Sequence, residues 1–337
     1  MNEKQILLTF DDNKLLPLLL GEKDKNLARI EEKLGVSASS RGNTVALAGD
    51  ENSVKIAKVV LEAIYAKLEK NQPVSLADID AAIRMANAEK NSAEKHGQHF
   101  KKDIVIKTQR KQIFPYSPHQ ADYMKALMQR ELTFASGPAG TGKTYLAVAA
   151  AVAMFLEKKV DRIILSRPAV EAGEKLGFLP GDLKEKVDPY LRPLYDALYD
   201  MMPSDRVNKC LELGEIEIAP LAFMRGRTLS HAFIILDEAQ NATTTQMKMF
   251  LTRLGEGSRM SVSGDLSQTD LPGSQKSGLR DAIQKLKGIT GIEFVRFEHT
   301  DIVRHELTVK IVEAYEKHDR QEKREGKSRR TADSREN

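Results

Sequence analysis

The sequence predicts an α/β fold in which helices sandwich a mainly parallel sheet, preceded by a small α+β unit. Three observations support this fold. A glycine-rich turn, residues 137–144, lies between a short apolar strand, residues 132–136, and an alanine-rich helix. A fully apolar strand, residues 233–236, ends in two acids, and another, residues 259–264, ends in a polar turn. Short apolar strands that alternate with helices are typical of a buried parallel sheet.

The glycine-rich turn reads G-P-A-G-T-G-K-T and matches the phosphate-binding pattern G-x-x-x-x-G-K-[ST] over its whole length. Glycines let the backbone turn tightly, so that successive N–H groups point at one anion. The turn lies at the N-terminus of the predicted helix 145–157, where a phosphate is favoured. The pattern therefore predicts an ATP site formed by Gly137, Pro138, Ala139, Gly140, Thr141, Gly142, Lys143 and Thr144.

Four side chains complete the predicted chemistry. Lys143 supplies a positive charge for the β- and γ-phosphates, and Thr144 offers a hydroxyl to Mg²⁺. Asp237, at the end of strand 233–236, can reach a water on the same Mg²⁺. Glu238 is placed to polarise the attacking water as a general base. The sequence thus predicts a hydrolase that uses ATP and Mg²⁺.

The residues Asp237-Glu-Ala-Gln240 resemble the D-E-A-Q motif of DNA and RNA helicases and related ATPases. That resemblance implies roles for two glutamines. Gln268, in the turn after strand 259–264, would contact the γ-phosphate and couple its loss to a nucleic-acid site. Gln120 would read the adenine edge, since its amide offers both a donor and an acceptor. The alternatives are a helix-capping loop at Gln268 and a cap for the predicted helix 120–128 at Gln120.

Arg304 and Arg253 are the candidate arginine fingers. Helicases of the D-E-A-Q type close a nucleotide between two RecA-like domains, whereas this sequence predicts one. The hypothesis is a homo-oligomeric ring in which a neighbouring subunit supplies the other side, with either arginine acting in trans. Arginines on helices are usually solvated, which is the alternative for both.

Residues 1–72 are predicted to form a separate α+β domain. It comprises a strand at 5–10, a helix at 27–34 capped by Asn26 and ended by Gly35, a hairpin, and a helix at 52–69. This order resembles KH-type modules, which clamp a nucleic-acid backbone at a G-x-x-G loop. The stretch Gly21-Glu-Lys-Asp24 supplies only the first glycine. The resemblance implies binding to single-stranded RNA; a docking or oligomerisation module of the same shape stays open.

Three further boundaries are predicted. Residues 73–112 form a helix and a linker, residues 113–318 form the ATPase domain, and the charged residues 319–337 are disordered.

Residues 167–181, dense in Gly and Pro, follow a buried strand and are predicted to be functional, because open α/β sheets bind ligands beyond the carboxyl ends of their strands.

Composition sets broad limits. The 337 residues carry 52 Lys and Arg against 48 Asp and Glu, a net charge of +4 that does not by itself indicate nucleic acid. The single cysteine excludes an internal disulfide framework and suits a reducing compartment. No apolar run approaches the roughly 20 residues of a membrane span. We therefore expect a soluble cytoplasmic protein without a membrane partner.

Residues from about 110 to 318 resemble the PhoH family of cytoplasmic ATPases. The resemblance rests on the motifs G-P-A-G-T-G-K-T, R-P-A-V-E-A-G-E-K-L-G-F-L-P-G-D, D-P-Y-L-R-P-L-Y-D, I-I-L-D-E-A-Q-N and S-G-D-L-S-Q-T-D-L-P. The preceding α+β unit is similar to that of the longer bacterial members. The resemblance implies a single P-loop, RecA-like ATPase domain. It also implies a role in RNA metabolism, beside a ribosomal-RNA-processing endoribonuclease or another ribosome-maturation partner.

Three functional classes follow from these observations. The first is an RNA-stimulated ATPase or RNA helicase. The second is an ATP-dependent regulatory switch that binds a protein partner, such as the endoribonuclease, without translocation. The third is a small-molecule kinase, against which the adjacent Asp237 and Glu238 argue, since they favour water as the acceptor.

Overall fold

The computed structural model describes residues 3–96, 104–168, 183–272 and 275–303, together with residues 308 and 311. Three sequence predictions lie wholly or largely outside these residues: the functional segment at 167–181, the candidate finger Arg304 and the charged tail at 319–337.

The N-terminal unit is a three-stranded antiparallel sheet covered by helices. Its strands are β1 (Glu3–Thr9), β2 (Ser37–Arg41) and β3 (Thr44–Asp50), in the order β1-β3-β2. Its helices are α1 (Leu16–Leu20), α2 (Lys25–Leu34), α3 (Glu51–Glu69) and α4 (Leu76–His96). The core joins the first turns of α4 to this unit, since Ile79, Ile83 and Ala86 are buried with the apolar face of α3.

The predicted cap at Asn26 is wrong. Helix α2 begins at Lys25, and Asn26 lies inside it with 2% of its surface exposed. Its side-chain amide donates to the carbonyls of Leu18 and Leu19 instead. These are carbonyls of the last turn of α1, which lack helical partners. Gly35, with φ of 63°, ends α2 as predicted.

The second part of the chain is built on a six-stranded parallel sheet. A short hairpin of β4 (Ile106–Lys107) and β5 (Gln112–Ile113) precedes it. The six strands are β6 (Leu132–Ser136), β7 (Arg162–Arg167), β8 (Ile216–Pro220), β9 (Ala232–Leu236), β10 (Arg259–Gly264) and β11 (Ile292–Arg296). Their order is β11-β6-β10-β9-β7-β8, with every pair parallel. The strand of the glycine-rich turn and the strand of the acid pair are therefore separated by β10.

Helices cover both faces of this sheet, which confirms the predicted α/β sandwich. The helices are α5 (Pro118–Gln129), α6 (Lys143–Leu156), α7 (Leu183–Met201), α8 (Ser204–Glu212), α9 (Thr244–Leu251) and α10 (Gly278–Lys285). Alternate strand residues point to opposite faces. Ile163 and Leu165 pack with α5 to α8, whereas Ile164 packs with α9 and α10.

The two parts of the chain touch through α3, α4 and the segment before α5. The Arg84 guanidinium of α4 donates through Nε to the Tyr116 carbonyl at 2.9 Å. The Lys67 ammonium of α3 lies 4.6 Å from the centroid of the Phe114 ring. The N-terminal unit thus contacts the segment that leads into α5 and the nucleotide loop. Within the described part of the chain, no helix combines the length and apolar character needed to cross a membrane.

Candidate functional site

The glycine-rich turn is held between β6 and α6 by close backbone contacts. Gly137 has φ of 148°, and its N–H donates to the Gly264 carbonyl at the end of β10. A Cβ at Gly137 would lie 2.5 Å from the Phe297 carbonyl oxygen, so a side chain does not fit there. Gly140 and Gly142 both have φ of 81°, in the left-handed region that glycine enters without strain.

Lys143 lies at the first turn of α6 and points back into the loop. Its Nζ donates to the carbonyls of Gly137 and Pro138 at 2.8 and 2.7 Å. Burial lowers the pKa of Lys143, and the nearby charges of Asp265 and Asp237 oppose that shift. The ammonium at the loop is positioned to bind a phosphate group.

Thr144 and Asp237 meet although they lie on different elements. The Thr144 hydroxyl donates to Asp237 Oδ1 at 2.7 Å, and the Ser263 hydroxyl donates to the same oxygen at 3.0 Å. Asp237 is 5% exposed. Its own N–H donates to the Ser166 carbonyl, which fixes it at the carboxyl end of β9. The structure therefore brings together the two predicted metal ligands.

Glu238 follows in a strained backbone conformation, with φ of 50°. Both of its carboxylate oxygens have partners within the chain. Arg167, at the end of β7, lies with Nη2 3.2 Å from Glu238 Oε1. Gln240 donates from Nε2 to Glu238 Oε2 at 2.6 Å. Arg167 and Gln240 thus orient the predicted base, a specific role that the sequence analysis gave to neither side chain.

Gln240 also reaches the loop that carries Gln268. Its Oε1 accepts the Asp265 N–H at 3.0 Å, and Gln240 is 2% exposed. Asp265 accepts from Ser267 through Oδ1, whereas its buried Oδ2 has no hydrogen-bond partner within the described ranges. The amide of Gln240 therefore ties the acid pair to the start of the loop containing Gln268.

These groups share one open cavity of about 610 Å³. It is lined by the loop and first turn of α6, by the acid pair, by the loop after β10, by Arg167 and by one side of α7. The lining residues used below are Lys143, Thr144, Arg167, Asp237, Glu238 and Gln268. On the α7 side, Tyr145 donates from its hydroxyl to Asp200 Oδ2 at 2.7 Å. The cavity therefore brings the loop, the acids and Gln268 into one space.

Gln120 does not present a free amide in this structure. It is 3% exposed, its Oε1 accepts the Tyr116 N–H at 2.6 Å, and its Nε2 donates to the Thr141 carbonyl at 3.0 Å. A Cβ at Gly142 would lie 3.2 Å from Nε2. The side chain thus braces the nucleotide loop against α5, while its contact with adenine stays a prediction. The helix cap of α5 is Ser117, whose side chain accepts the Gln120 N–H.

Of the two candidate arginine fingers, the structure describes Arg253, which does not line the cavity. Arg253 donates from Nε to the Met249 carbonyl and from Nη1 to the Arg227 carbonyl. Its own carbonyl accepts the Leu229 N–H, ahead of β9. The five residues of β9 separate that end of the sheet from the acid pair by about 15 Å. Arg304 lies outside the described residues; Val303, just before it, donates to the Gly140 carbonyl of the loop.

Comparisons with known proteins agree on one family. Residues 112–316 match the family model described as PhoH-like protein. A PhoH-like protein of Bacillus subtilis (strain 168) is 50% identical over 299 residues, covering 89% of this chain and 93% of its own. Protein PhoH of Escherichia coli (strain K12) is 48% identical over 198 residues, covering 58% of this chain and 56% of its own. Among solved structures, the UvsW helicase from bacteriophage T4 is similar with a TM-score of 0.36 and 12% identity, covering 70% of this chain and 77% of that one.

Proposed function

This chain belongs to the PhoH-like protein family, and we propose that it is a Mg²⁺-dependent ATPase whose hydrolysis is stimulated by RNA. The observation that carries the ATPase proposal is the convergence of three strand ends. The loop after β6, the acid pair after β9 and the loop after β10 all line one cavity. A phosphate loop with a nearby carboxylate pair is the arrangement that nucleotide hydrolysis requires.

The residues of this cavity fit Mg²⁺. Magnesium takes oxygen ligands and is commonly held by a hydroxyl and one or two carboxylates, together with substrate phosphates. The Thr144 hydroxyl and the Asp237 carboxylate, 2.7 Å apart, provide such oxygens, and the orphaned Oδ2 of Asp265 lines the same cavity. When bound, the ion supplies charge neutralisation at the β- and γ-phosphates.

The protein's own groups account for the rest of the reaction. The N–H groups of the loop and Lys143 bind and orient the triphosphate. Glu238 accepts a proton from the attacking water. Gln268 senses the γ-phosphate, and Gln240 links its loop to Glu238 through the 3.0 and 2.6 Å hydrogen bonds described above.

The N-terminal unit supports the RNA part of the proposal. Its element order is strand, two helices, hairpin and helix, and the stretch Gly21 to Asp24 joins the two helices. We propose that this unit is KH-like and binds single-stranded RNA at this turn. Lys23 and Asp24 both have positive φ, at 54° and 57°, so Asp24 takes the conformation that a second glycine would favour. Because this unit contacts the segment before α5, RNA bound to it would be coupled to the nucleotide loop through that segment.

A protein-partnered switch is the second candidate. Leu7, Leu18 and Val59 of the N-terminal unit are 68%, 56% and 44% exposed. A docked protein partner could bury these apolar side chains. In this alternative the unit docks a protein, such as a ribosomal-RNA-processing endoribonuclease, and ATP hydrolysis resets the complex without translocation.

A homo-oligomeric ring remains part of the proposal. The cavity is open, and the Arg253 side chain is bonded elsewhere and does not line it. In a ring, a neighbouring subunit would cover the cavity, with Arg304 or Arg253 acting in trans. A monomeric mass measured in the presence of ATP under native conditions would contradict this part alone.

Phosphate release from ATP tests the proposal and separates the alternatives. We expect release with no added acceptor, which a small-molecule kinase would not show. Stimulation by single-stranded RNA supports the RNA-directed ATPase. Hydrolysis indifferent to RNA and DNA favours the protein-partnered switch, and an absence of hydrolysis under all these conditions contradicts both.

A further inference from the structure

The ion pair between Arg167 and Glu238 takes up one carboxylate oxygen of the predicted base. Arg167 ends β7 and Glu238 follows β9, and these strands are neighbours with Ser166 paired to Leu236. The register therefore places the guanidinium beside the acid pair. Arg167 Nη2 lies 3.2 Å from Glu238 Oε1, and the side chains are 23% and 37% exposed.

This pair limits what Glu238 can do. A general base needs an oxygen lone pair that points at the attacking water. Oε1 faces Arg167, and Oε2 accepts from the amide of Gln240 at 2.6 Å. These two contacts hold the carboxylate in one orientation, and release of Arg167 would let Glu238 turn towards the attacking water.

The chemistry of Arg167 indicates what would release it. A guanidinium binds phosphate oxygens as readily as carboxylate oxygens, through paired N–H donors in a planar fork. Arg167 lines the cavity that contains the nucleotide loop, so a phosphate entering it can compete with Glu238. The ion pair is partly exposed, and such pairs are weak enough to be exchanged.

We propose that Arg167 is a switch that holds Glu238 until a phosphate group takes the guanidinium away. The inference rests on the proposed function, since it takes Glu238 as the base that activates water. Two phosphates have the required chemistry: the terminal phosphate of ATP, and a phosphodiester of bound RNA. In either case a phosphate replaces the Glu238 carboxylate at the Arg167 guanidinium. The RNA response of hydrolysis distinguishes RNA as the source, and the preference for ATP over ADP distinguishes ATP.

The test compares Arg167→Ala with Arg162→Ala. Arg162 is the exposed first residue of the same strand, at the opposite edge of the sheet. If RNA is the source, Arg167→Ala raises phosphate release without RNA about 2–5-fold, the range expected for loss of a partly exposed pair, and RNA adds nothing further. If ATP is the source, Arg167→Ala lowers the preference for ATP over ADP about 10-fold in equilibrium binding and keeps the response to RNA.

A reciprocal measurement needs no hydrolysis. If Glu238 and RNA compete for Arg167, then Glu238→Gln tightens the binding of a single-stranded RNA of about 20 nucleotides by the same 2–5-fold, since coupling between sites is reciprocal. The gain disappears in the double variant Arg167→Ala/Glu238→Gln. Arg167→Lys keeps the charge but not the planar fork, so its effects should be intermediate.

Two results would overturn the switch. One is an Arg167→Ala protein whose ATP-to-ADP preference and RNA response both match Arg162→Ala. The other is lower hydrolysis with both properties retained, since the pair would then only hold Glu238 in position. Unchanged ADP binding shows that the variants are folded. A wild-type protein that releases no phosphate contradicts the proposed function. The relative affinities for ATP and ADP, measured without hydrolysis, still test the switch.

Discussion

Replacing Gln120 by Leu separates its structural contacts from a role in reading adenine. The leucine has a similar size but cannot bond the Tyr116 N–H or the Thr141 carbonyl, which the glutamine holds at 2.6 and 3.0 Å. A buried polar group left without a partner costs about 1–3 kcal/mol, and the Tyr116 group is only partly buried. We therefore expect the free energy of unfolding to fall by about 2–4 kcal/mol.

Equilibrium urea denaturation measures this loss, with Gln129→Leu as the matched control. Gln129 is the exposed last residue of the same helix, so its replacement should change stability by less than about 0.5 kcal/mol. Because the loop itself is loosened, the affinities for ATP, ADP and GTP should fall together. A stability equal to that of the control, with ATP binding weakened and GTP binding unchanged, would refute the bracing role and establish adenine recognition.

Two further changes test the loop and the N-terminal unit. Gly137→Ala places a Cβ 2.5 Å from the Phe297 carbonyl oxygen. The control is Gly214→Ala, where φ is also positive but no atom lies within 4 Å of the added Cβ. We expect the free energy of unfolding to fall by about 1–3 kcal/mol more at Gly137 than at Gly214, and equal urea midpoints would contradict this. Burial opposes ionisation of Asp78, but hydrogen bonds from Lys67 and Ser75 outweigh it and lower the pKa of Asp78 below 3.8. The stabilisation from ionised Asp78 is complete above pH 3.8 and is lost as the pH falls through the folded-state pKa. Asp78→Asn should therefore lower the free energy of unfolding by about 1–3 kcal/mol at pH 7. This difference, measured by urea titration, should shrink below about pH 4. A difference independent of pH would contradict the ionised pair.

Local patterns were sufficient to predict most of the fold. The strand of the loop was expected at residues 132–136 and is observed as Leu132–Ser136, and the acid-bearing strand differs from its prediction by one residue. Each is a short apolar run bounded by polar residues, so its burial is encoded locally. The meeting of Thr144 and Asp237 was also predictable, because parallel strands bring their carboxyl ends to one edge of a sheet.

Contacts that depend on strand order or on unpredicted elements were not predictable. The pairing of Arg167 with Glu238 requires β7 to lie beside β9, which no local pattern specifies. Asn26 was expected to cap a helix, because the short helix α1 had not been predicted; the open carbonyls of α1 then took the amide. Two signals were available in the sequence, since Gln240 belongs to the quoted D-E-A-Q motif and Arg167 begins the segment predicted to be functional.

The most direct test of the account is phosphate release by Glu238→Gln. The glutamine has the same shape and keeps a hydrogen-bonding group, but it cannot accept a proton from water. We expect hydrolysis to fall about 10²–10⁴-fold while the dissociation constant for ATP stays within a few-fold of wild type. Glu256→Gln, at an exposed position before β10, serves as the control and should hydrolyse ATP at the wild-type rate. Hydrolysis by Glu238→Gln equal to that control would contradict the assignment of Glu238 as the base.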